Sequence, residues 1–152
     1  GFGGQNSIIF VGNKKDVFGF PYVGSVLNNT TKTLSEEIPE AKYYILLLGL
    51  HEDKTEFINN YENLYQKINA TNPNAKIFWI TLPHKKETDK NSNKINEFIT
   101  SNKKSNMEVI DFSSIIDEND YNGMSKDGIH FGNKTYRKLA KYLAGKIEND
   151  EK

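Results

Sequence analysis

Apolar residues along the chain form short, compact runs that alternate with stretches of helical spacing. The compact runs are rich in β-branched and aromatic side chains, which is typical of strands buried on both faces. Gly19 and Pro21 interrupt one of the runs, so we expect that strand at an edge of the sheet. The runs predict five strands, at Ser7–Val11, Val17–Val23 (the interrupted run), Tyr43–Leu48, Lys76–Leu82 and Met107–Phe112.

Helical spacing predicts four helices between and after these strands. The second begins at a capping box of Asp53 and Glu56. The apolar residues of the four helices, in order, are Val26, Leu27, Leu34 and Ile38 with Thr31; Phe57, Tyr61, Leu64, Tyr65 and Ile68; Ile95, Phe98 and Ile99; and Tyr136, Leu139, Ala140, Leu143, Ala144 and Ile147. Repeated strand–helix units indicate an α/β protein with a mainly parallel sheet covered on both faces. We expect Ser7–Val11 and Tyr43–Leu48 to be adjacent in its centre.

Composition narrows the class of protein. The 152 residues are enough for a proper core, and we predict a single domain over residues 1–152. Lys and Arg together number 20, as do Asp and Glu, so there is no global field to attract nucleic acid or an anionic membrane surface. The absence of cysteine excludes disulfide and thiol chemistry. The longest apolar run, Tyr43–Leu50, is too short to span a bilayer, and the start at Gly1 rather than methionine predicts an excised or processed piece.

The residues that follow each strand matter most, because ligands of open parallel sheets bind beyond the carboxyl ends of the strands. We call this end of the sheet, where the carboxyl ends of all its strands lie, the carboxyl edge; it is distinct from the edge strands. All three histidines of the chain are predicted to lie on it. The residues that follow the strands are Gly12-Asn13-Lys14, Gly24-Ser25, Gly49-Leu50-His51-Glu52, Pro83-His84 and, after a longer excursion, Asp127 and His130.

The stretch Lys126-Asp127-Gly128-Ile129-His130-Phe131 places an acid and an imidazole three residues apart. On one turn the carboxylate of Asp127 could orient a ring nitrogen of His130, which is half of a nucleophilic catalytic set. Asp-Gly is also a common turn dipeptide, and His130 could be a surface histidine before the last helix. The spacing alone leaves both interpretations open.

The order of these features resembles the SGNH (GDSL-type) hydrolase family over nearly the whole chain. The most specific part is Asp127-Gly128-Ile129-His130-Phe131, followed by Thr135-Tyr136 in the closing helix. The resemblance implies a three-layer α/β/α sandwich with a flavodoxin-like five-stranded parallel sheet, and hydrolysis or transfer of ester-linked acyl groups, often on carbohydrates. It would make His130 the general base, Asp127 its orienting acid and the backbone N–H of Gly24 an oxyanion donor.

Two positions depart from the family's motifs. Gly12-Asn13-Lys14 stands where the family has Gly-Asp-Ser, so the nucleophile position carries the amine of Lys14. Gly49-Leu50-His51-Glu52 stands where the family has Gly-x-Asn-Asp, so His51 replaces the oxyanion asparagine. A histidine N–H can still donate to an oxyanion. Without a nucleophile, however, the covalent route does not exist.

Three functions from different classes follow. The first is a degenerate family member, a pseudoenzyme, that keeps the fold and the carboxyl edge but binds a ligand or partner instead of cleaving esters. The second is an active esterase or acyltransferase with a displaced nucleophile, for which Ser25 is the candidate because it is predicted at a strand-to-helix turn. The third is a metal site, although none of its histidines has close ligand spacing. Its residues would be His51, His84 and His130 with Glu52 or Asp127.

The family resemblance also implies a class of ligand and a location. The ligand would be an O-acylated carbohydrate or a cell-envelope polymer, and the protein would be extracellular or attached to the cell envelope. We expect no cofactor, no nucleic-acid partner, no membrane span in this chain and a monomeric state.

Overall fold

The computed structural model describes residues 8–13, 16, 25–27, 37–48, 54–83, 90–124 and 130–151. Within these ranges five strands form one parallel sheet: β1 (Ile8–Val11), β2 (Ser25–Leu27), β3 (Tyr43–Leu46), β4 (Lys76–Ile80) and β5 (Met107–Ile110). Their order across the sheet is β2-β1-β3-β4-β5. The predicted α/β class, the parallel five-stranded sheet and the central pair of β1 and β3 are confirmed.

The helices in the described residues are α1 (Lys54–Thr71), α2 (Lys90–Ser101), the short α3 (Glu118–Asn122) and α4 (Asn133–Asp150). A 3-10 turn at Phe112–Ser114 precedes α3. The stretch between the last predicted strand and the last predicted helix therefore contains a helix, α3, that the apolar pattern did not indicate. Asp117 caps α3 by accepting hydrogen bonds from two backbone N–H groups, and Asp120 closes the capping box.

Helices cover both faces of the sheet. On one face, Trp79 of β4 packs against Phe57 and Tyr61 of α1, with ring centroids 6.0 and 4.5 Å apart. Successive residues of a strand point to opposite faces, and the neighbouring Phe78 stacks on Tyr43, whose hydroxyl bonds to the end of α4. Helices α1 and α4 therefore lie on opposite faces, which gives the three layers that the family resemblance implied.

The edge strand lies at a different place in the sequence from the predicted one. Val17–Val23 lies outside the described residues, and the strand that pairs with β1 is Ser25–Leu27. The helix predicted to begin at Val26 and Leu27 is therefore wrong at these positions, because their backbone belongs to the parallel ladder with β1. Ile38, predicted in the same helix, is buried in a non-helical segment. A three-residue strand is too short to show a period of two, so the apolar pattern did not identify it.

Gly12 ends the central strand and joins it to both neighbours. Its N–H donates to the carbonyl of Leu27 over 2.9 Å, and the N–H of Leu47 donates to the carbonyl of Val11 over 3.0 Å. Gly12 has a φ of +154°, which side-chain-bearing residues rarely adopt. A Cβ here would lie 2.8 Å from the carbonyl oxygen of Leu47 and 2.8 Å from the ring of Phe10. The joint therefore requires glycine.

A polar network at the opposite end of the sheet holds the end of α4. The hydroxyl of Tyr43 donates to Asp150 over 2.8 Å and to Glu151 over 2.9 Å. Burial raises the pKa of Tyr43, and the two carboxylates raise it further, so the hydroxyl stays a neutral donor. Lys42 pairs with Glu151, and Lys76 lies 3.1 Å from Asp150. The 18 residues of α4 span about 27 Å, so fixing its end also fixes the direction of its start near the carboxyl edge.

We expect Gly12→Ala to lower the free energy of unfolding by about 2–4 kcal/mol, because it adds both a strained φ and a backbone clash. Gly145→Ala is the matched control. Gly145 lies within α4, and a Cβ added there would make no tertiary contact within 4 Å, so alanine should raise stability by about 0.5–1 kcal/mol. Urea unfolding of the three proteins measures both effects. Equal stability of Gly12→Ala and the parent protein would contradict the requirement for glycine at this position.

Candidate active site

Asp16 and His130 meet at the carboxyl edge. Asp16 follows β1 in a turn that its own N–H closes by donating to the carbonyl of Asn13 over 2.9 Å. Its side chain is 1% exposed, whereas that of His130 is 17% exposed. The Nδ1 atom of His130 lies 3.9 Å from Oδ1 of Asp16. This separation is longer than a direct hydrogen bond and short enough for strong electrostatic attraction to a protonated ring.

An aromatic cluster holds the backbone beside His130. Phe131 is 6% exposed, and its ring centroid lies 5.6 Å from that of Phe112 and 5.6 Å from that of Tyr121. The N–H of Phe131 donates to the hydroxyl of Tyr136 over 3.2 Å. Displacing His130 from the carboxyl edge would therefore require Phe131 to leave its buried contacts.

A buried polar cluster fixes the first turns of α4. The hydroxyl of Thr135 donates to Asp120 over 2.5 Å, and the ammonium of Lys138 donates to the same carboxylate over 2.7 Å. The N–H of Asp117 also donates to Asp120, over 2.9 Å. Burial opposes ionisation of Asp120, but the hydrogen bonds from Lys138 and Thr135 outweigh it and hold the pKa at about 2. The ionised carboxylate thus ties α3 to the helix that follows His130.

Asparagine side chains fix two further segments near the carboxyl edge. Asn96 of α2 accepts from the N–H of Leu82 over 2.7 Å and donates to its carbonyl over 2.8 Å, so it holds the chain just after β4. Asn91 accepts from the N–H of Lys54 over 3.1 Å and caps the start of α1 from a neighbouring helix. The first contact satisfies backbone groups beyond the end of β4, and the second satisfies an N–H in the first turn of α1.

Most of the predicted site residues lie outside the part of the chain that the structure describes. The sequence predicts six active-site residues. Of these, His130 is described, and only the backbone of Ser25 is described. The contact between Asp127 and His130 and the nucleophile position of Lys14 therefore stay predictions. The predicted site residues that lie outside are Lys14, Gly24, His51 and Asp127.

The predicted position of Ser25 at a strand-to-helix turn is wrong. Ser25 begins β2 and pairs with Ile9, whereas Leu27 pairs with Val11 at the end of β1. At about 3.3 Å per residue, the backbone of Ser25 lies about 7 Å before the carboxyl end of its strand. Gly24 lies outside the described residues, so its role as an oxyanion donor stays a prediction.

Sequence reasoning missed two carboxylates that the structure makes important. Asp16 stands in a run of charged residues, Lys14-Lys15-Asp16, which is typical of an exposed loop, and no spacing signal distinguishes it. Asp120 was detectable in principle, because Asp117-x-x-Asp120 has the spacing of a capping box. That spacing would have indicated the helix but not the buried contact with Lys138.

The metal hypothesis falls almost entirely outside the described residues, since His130 is the one member of its set that is described. Among the residues that the structure describes, no group of three His, Cys, Asp or Glu side chains could hold a metal ion. No helix in the same ranges is long and apolar enough to cross a membrane.

Solved structures with low sequence identity share this architecture. A candidate platelet activating factor from Streptococcus pneumonia is 17% identical over 95% of this chain and 85% of its own, with a TM-score of 0.66. A carbohydrate esterase family 3 protein from Talaromyces cellulolyticus is 16% identical, with a TM-score of 0.56, over 72% of this chain and 58% of its own length. The fold is that of SGNH-like hydrolases. The chain matches no family model and no curated protein sequence, so these likenesses show the SGNH-like fold alone.

Asp120 gives this chain a predictable response to acid. Its folded pKa of about 2 lies below the reference value of 3.8, so its stabilisation is present above pH 3.8 and is lost as pH falls toward 2. Asp120→Asn should therefore lower stability by about 1–2 kcal/mol at pH 7 and reduce the further loss between pH 5 and about 2.

Unfolding in urea at pH 7, 5, 4 and 3 measures this effect. Lys138→Met, which leaves Asp120 buried without its cation, should also destabilise the protein. Lys134→Met on the exposed face of the same helix is the matched control and should change stability by less than about 0.5 kcal/mol. An acid response of Asp120→Asn identical to that of the parent protein would contradict the assignment.

Proposed function

We propose that this chain is an SGNH-like domain that has lost the serine route of ester cleavage and binds an O-acylated carbohydrate or cell-envelope polymer at its carboxyl edge. The observation that supports it most is the pairing of His130 with the buried Asp16. In this class of fold, ligands bind where those two side chains meet. The sequence meanwhile carries Lys14 where the resembling family has its serine.

The chemistry of Lys14 argues against a covalent route. An unperturbed lysine titrates near ~10.4, so we expect its amine to be protonated at neutral pH. A protonated amine has no lone pair with which to attack an ester carbonyl. Without an acyl-enzyme intermediate, the acid–base groups that remain serve to bind the ligand rather than to cleave it.

The class of ligand follows from the groups at the carboxyl edge. A neutral imidazole can accept a hydrogen bond from a sugar hydroxyl, and the resemblance to the SGNH family implies that the acyl group of the same ligand is also bound. The zero net charge offers no attraction to a polyanion such as nucleic acid. The Talaromyces cellulolyticus protein is a carbohydrate esterase, which is consistent with this proposal. We propose that the chain acts as a single, monomeric domain in an extracellular or cell-envelope setting.

An active esterase with Ser25 as its nucleophile is the alternative. Its rationale was the predicted turn position, and the strand register removes that rationale. The alternative is kept as an outcome of the experiment below, together with a metal-dependent activity.

We expect the purified domain to show no turnover of an aryl acetate above the buffer rate and no labelling by a fluorophosphonate. Lys14→Ser should create measurable hydrolysis and labelling, because it returns a hydroxyl to an edge that has kept its histidine. Lys14→Ala is the matched control, since it removes the amine without adding a nucleophile, and it should stay inactive.

Three results would contradict the proposal. Parent activity that Ser25→Ala abolishes would establish a displaced nucleophile. Activity that survives Ser25→Ala but is lost with a chelator would establish a metal site. Calorimetry that finds no binding of an O-acetylated polysaccharide, or equal binding of the acetylated and de-acetylated forms, would exclude recognition of the ester. The expected result is binding that weakens on de-acetylation and in His130→Ala.

A further inference from the structure

The turn that contains Asp16 does not explain why its carboxylate is buried. Backbone groups close the turn, since the N–H of Asp16 bonds to the carbonyl of Asn13. A turn of this kind does not need an acidic side chain at its last residue. The carboxylate is nevertheless buried, at 1% exposure, and turned toward the imidazole of a residue more than a hundred positions away in the chain.

Burial of a carboxylate is costly unless donors or a cation surround it. The ring atom of His130 that lies 3.9 Å from the carboxylate is Nδ1. A small rotation of the ring or one bridging water would convert this separation into a hydrogen bond from Nδ1–H to Asp16. The partial exposure of the ring, at 17%, leaves it in reach of solvent or a ligand.

We propose that Asp16 is a positioning residue for His130, and that it holds the neutral imidazole with its proton on Nδ1. The two ring nitrogens of histidine are distinct, and the partner of one decides which proton the other carries. With the proton on Nδ1, Nε2 presents a lone pair to the carboxyl edge. His130 then accepts a hydrogen bond from a ligand hydroxyl.

This inference rests on the proposed function for its ligand but not for its geometry. It deepens that function by naming the contacting atom, Nε2 of His130, and the group that it recognises, a hydroxyl donor such as that of a sugar. The same tautomer is the one that takes a proton from a serine nucleophile. Asp16 would therefore do what the family resemblance assigns to Asp127.

The decisive measurement is a ¹⁵N NMR spectrum of the His130 ring in the ligand-free parent protein, at a pH where the ring is neutral. We expect a protonated Nδ1 and an unprotonated Nε2. In Asp16→Ala the population should move toward Nε2–H, the form that free histidine prefers, whereas in Asp127→Ala the proton should stay mainly on Nδ1. Circular dichroism checks that each variant is folded. If Asp16→Ala does not fold, the parent spectrum still decides, because Nε2–H there would overturn the proposal.

A second readout uses the activity expected of Lys14→Ser. Adding Asp16→Ala to that variant should lower kcat by at least about tenfold, and by more than adding Asp127→Ala does. The reverse order would assign the role to Asp127 and overturn the proposal. If Lys14→Ser has no activity, the proposed function loses its support, while the NMR spectrum tests the role of Asp16 independently.

Discussion

The joint at Gly12 is the constraint on which the carboxyl edge depends. Strand β1 lies between β2 and β3, and at Gly12 it bonds to one neighbour while its last carbonyl is bonded by the other. The chain then enters the turn that the N–H of Asp16 closes on the carbonyl of Asn13, and Gly12 has a φ of +154°, which residues with a Cβ rarely adopt. Because this turn starts at a fixed point, Asp16 comes to a fixed place four residues later. The electrostatic pair with His130 follows from that geometry.

His130, the partner of Asp16, lies just before helix α4. Its position is fixed because α4 is held at both ends. Near its start, the ionised carboxylate of Asp120 receives hydrogen bonds from Thr135 and Lys138. At its far end, Tyr43 of the central strand β3 bonds to Asp150. His130 precedes this helix by three residues and adjoins the buried Phe131. A helix anchored in this way keeps the imidazole in place without a contribution from a ligand, which would lower the entropy cost of the binding we propose.

The apolar pattern predicted the architecture because the buried strands are uninterrupted apolar runs and the long helices repeat their apolar spacing over several turns. The buried runs of β1, β3 and β4 and the apolar face of α4 are examples, and their order implies the parallel sheet. Strand β2 was not predicted, because three residues are too few to show a period, and Ser25 was therefore predicted at a turn instead of in a strand. Asp16 could not be predicted as a site residue, since its burial and its approach to His130 are tertiary features that leave no local pattern in the sequence.

We propose that the carboxyl edge of this SGNH-like fold binds an ester-bearing carbohydrate without a serine nucleophile. The most direct test is titration of the ¹⁵N-labelled parent protein with an O-acetylated oligosaccharide, followed by the backbone amide signals. The account predicts changes concentrated at Gly12, Asn13, Asp16 and His130, with the signals of Tyr43 and Lys76 at the opposite end of the sheet unchanged. Changes confined to that opposite end, or no change at saturating ligand, would contradict it.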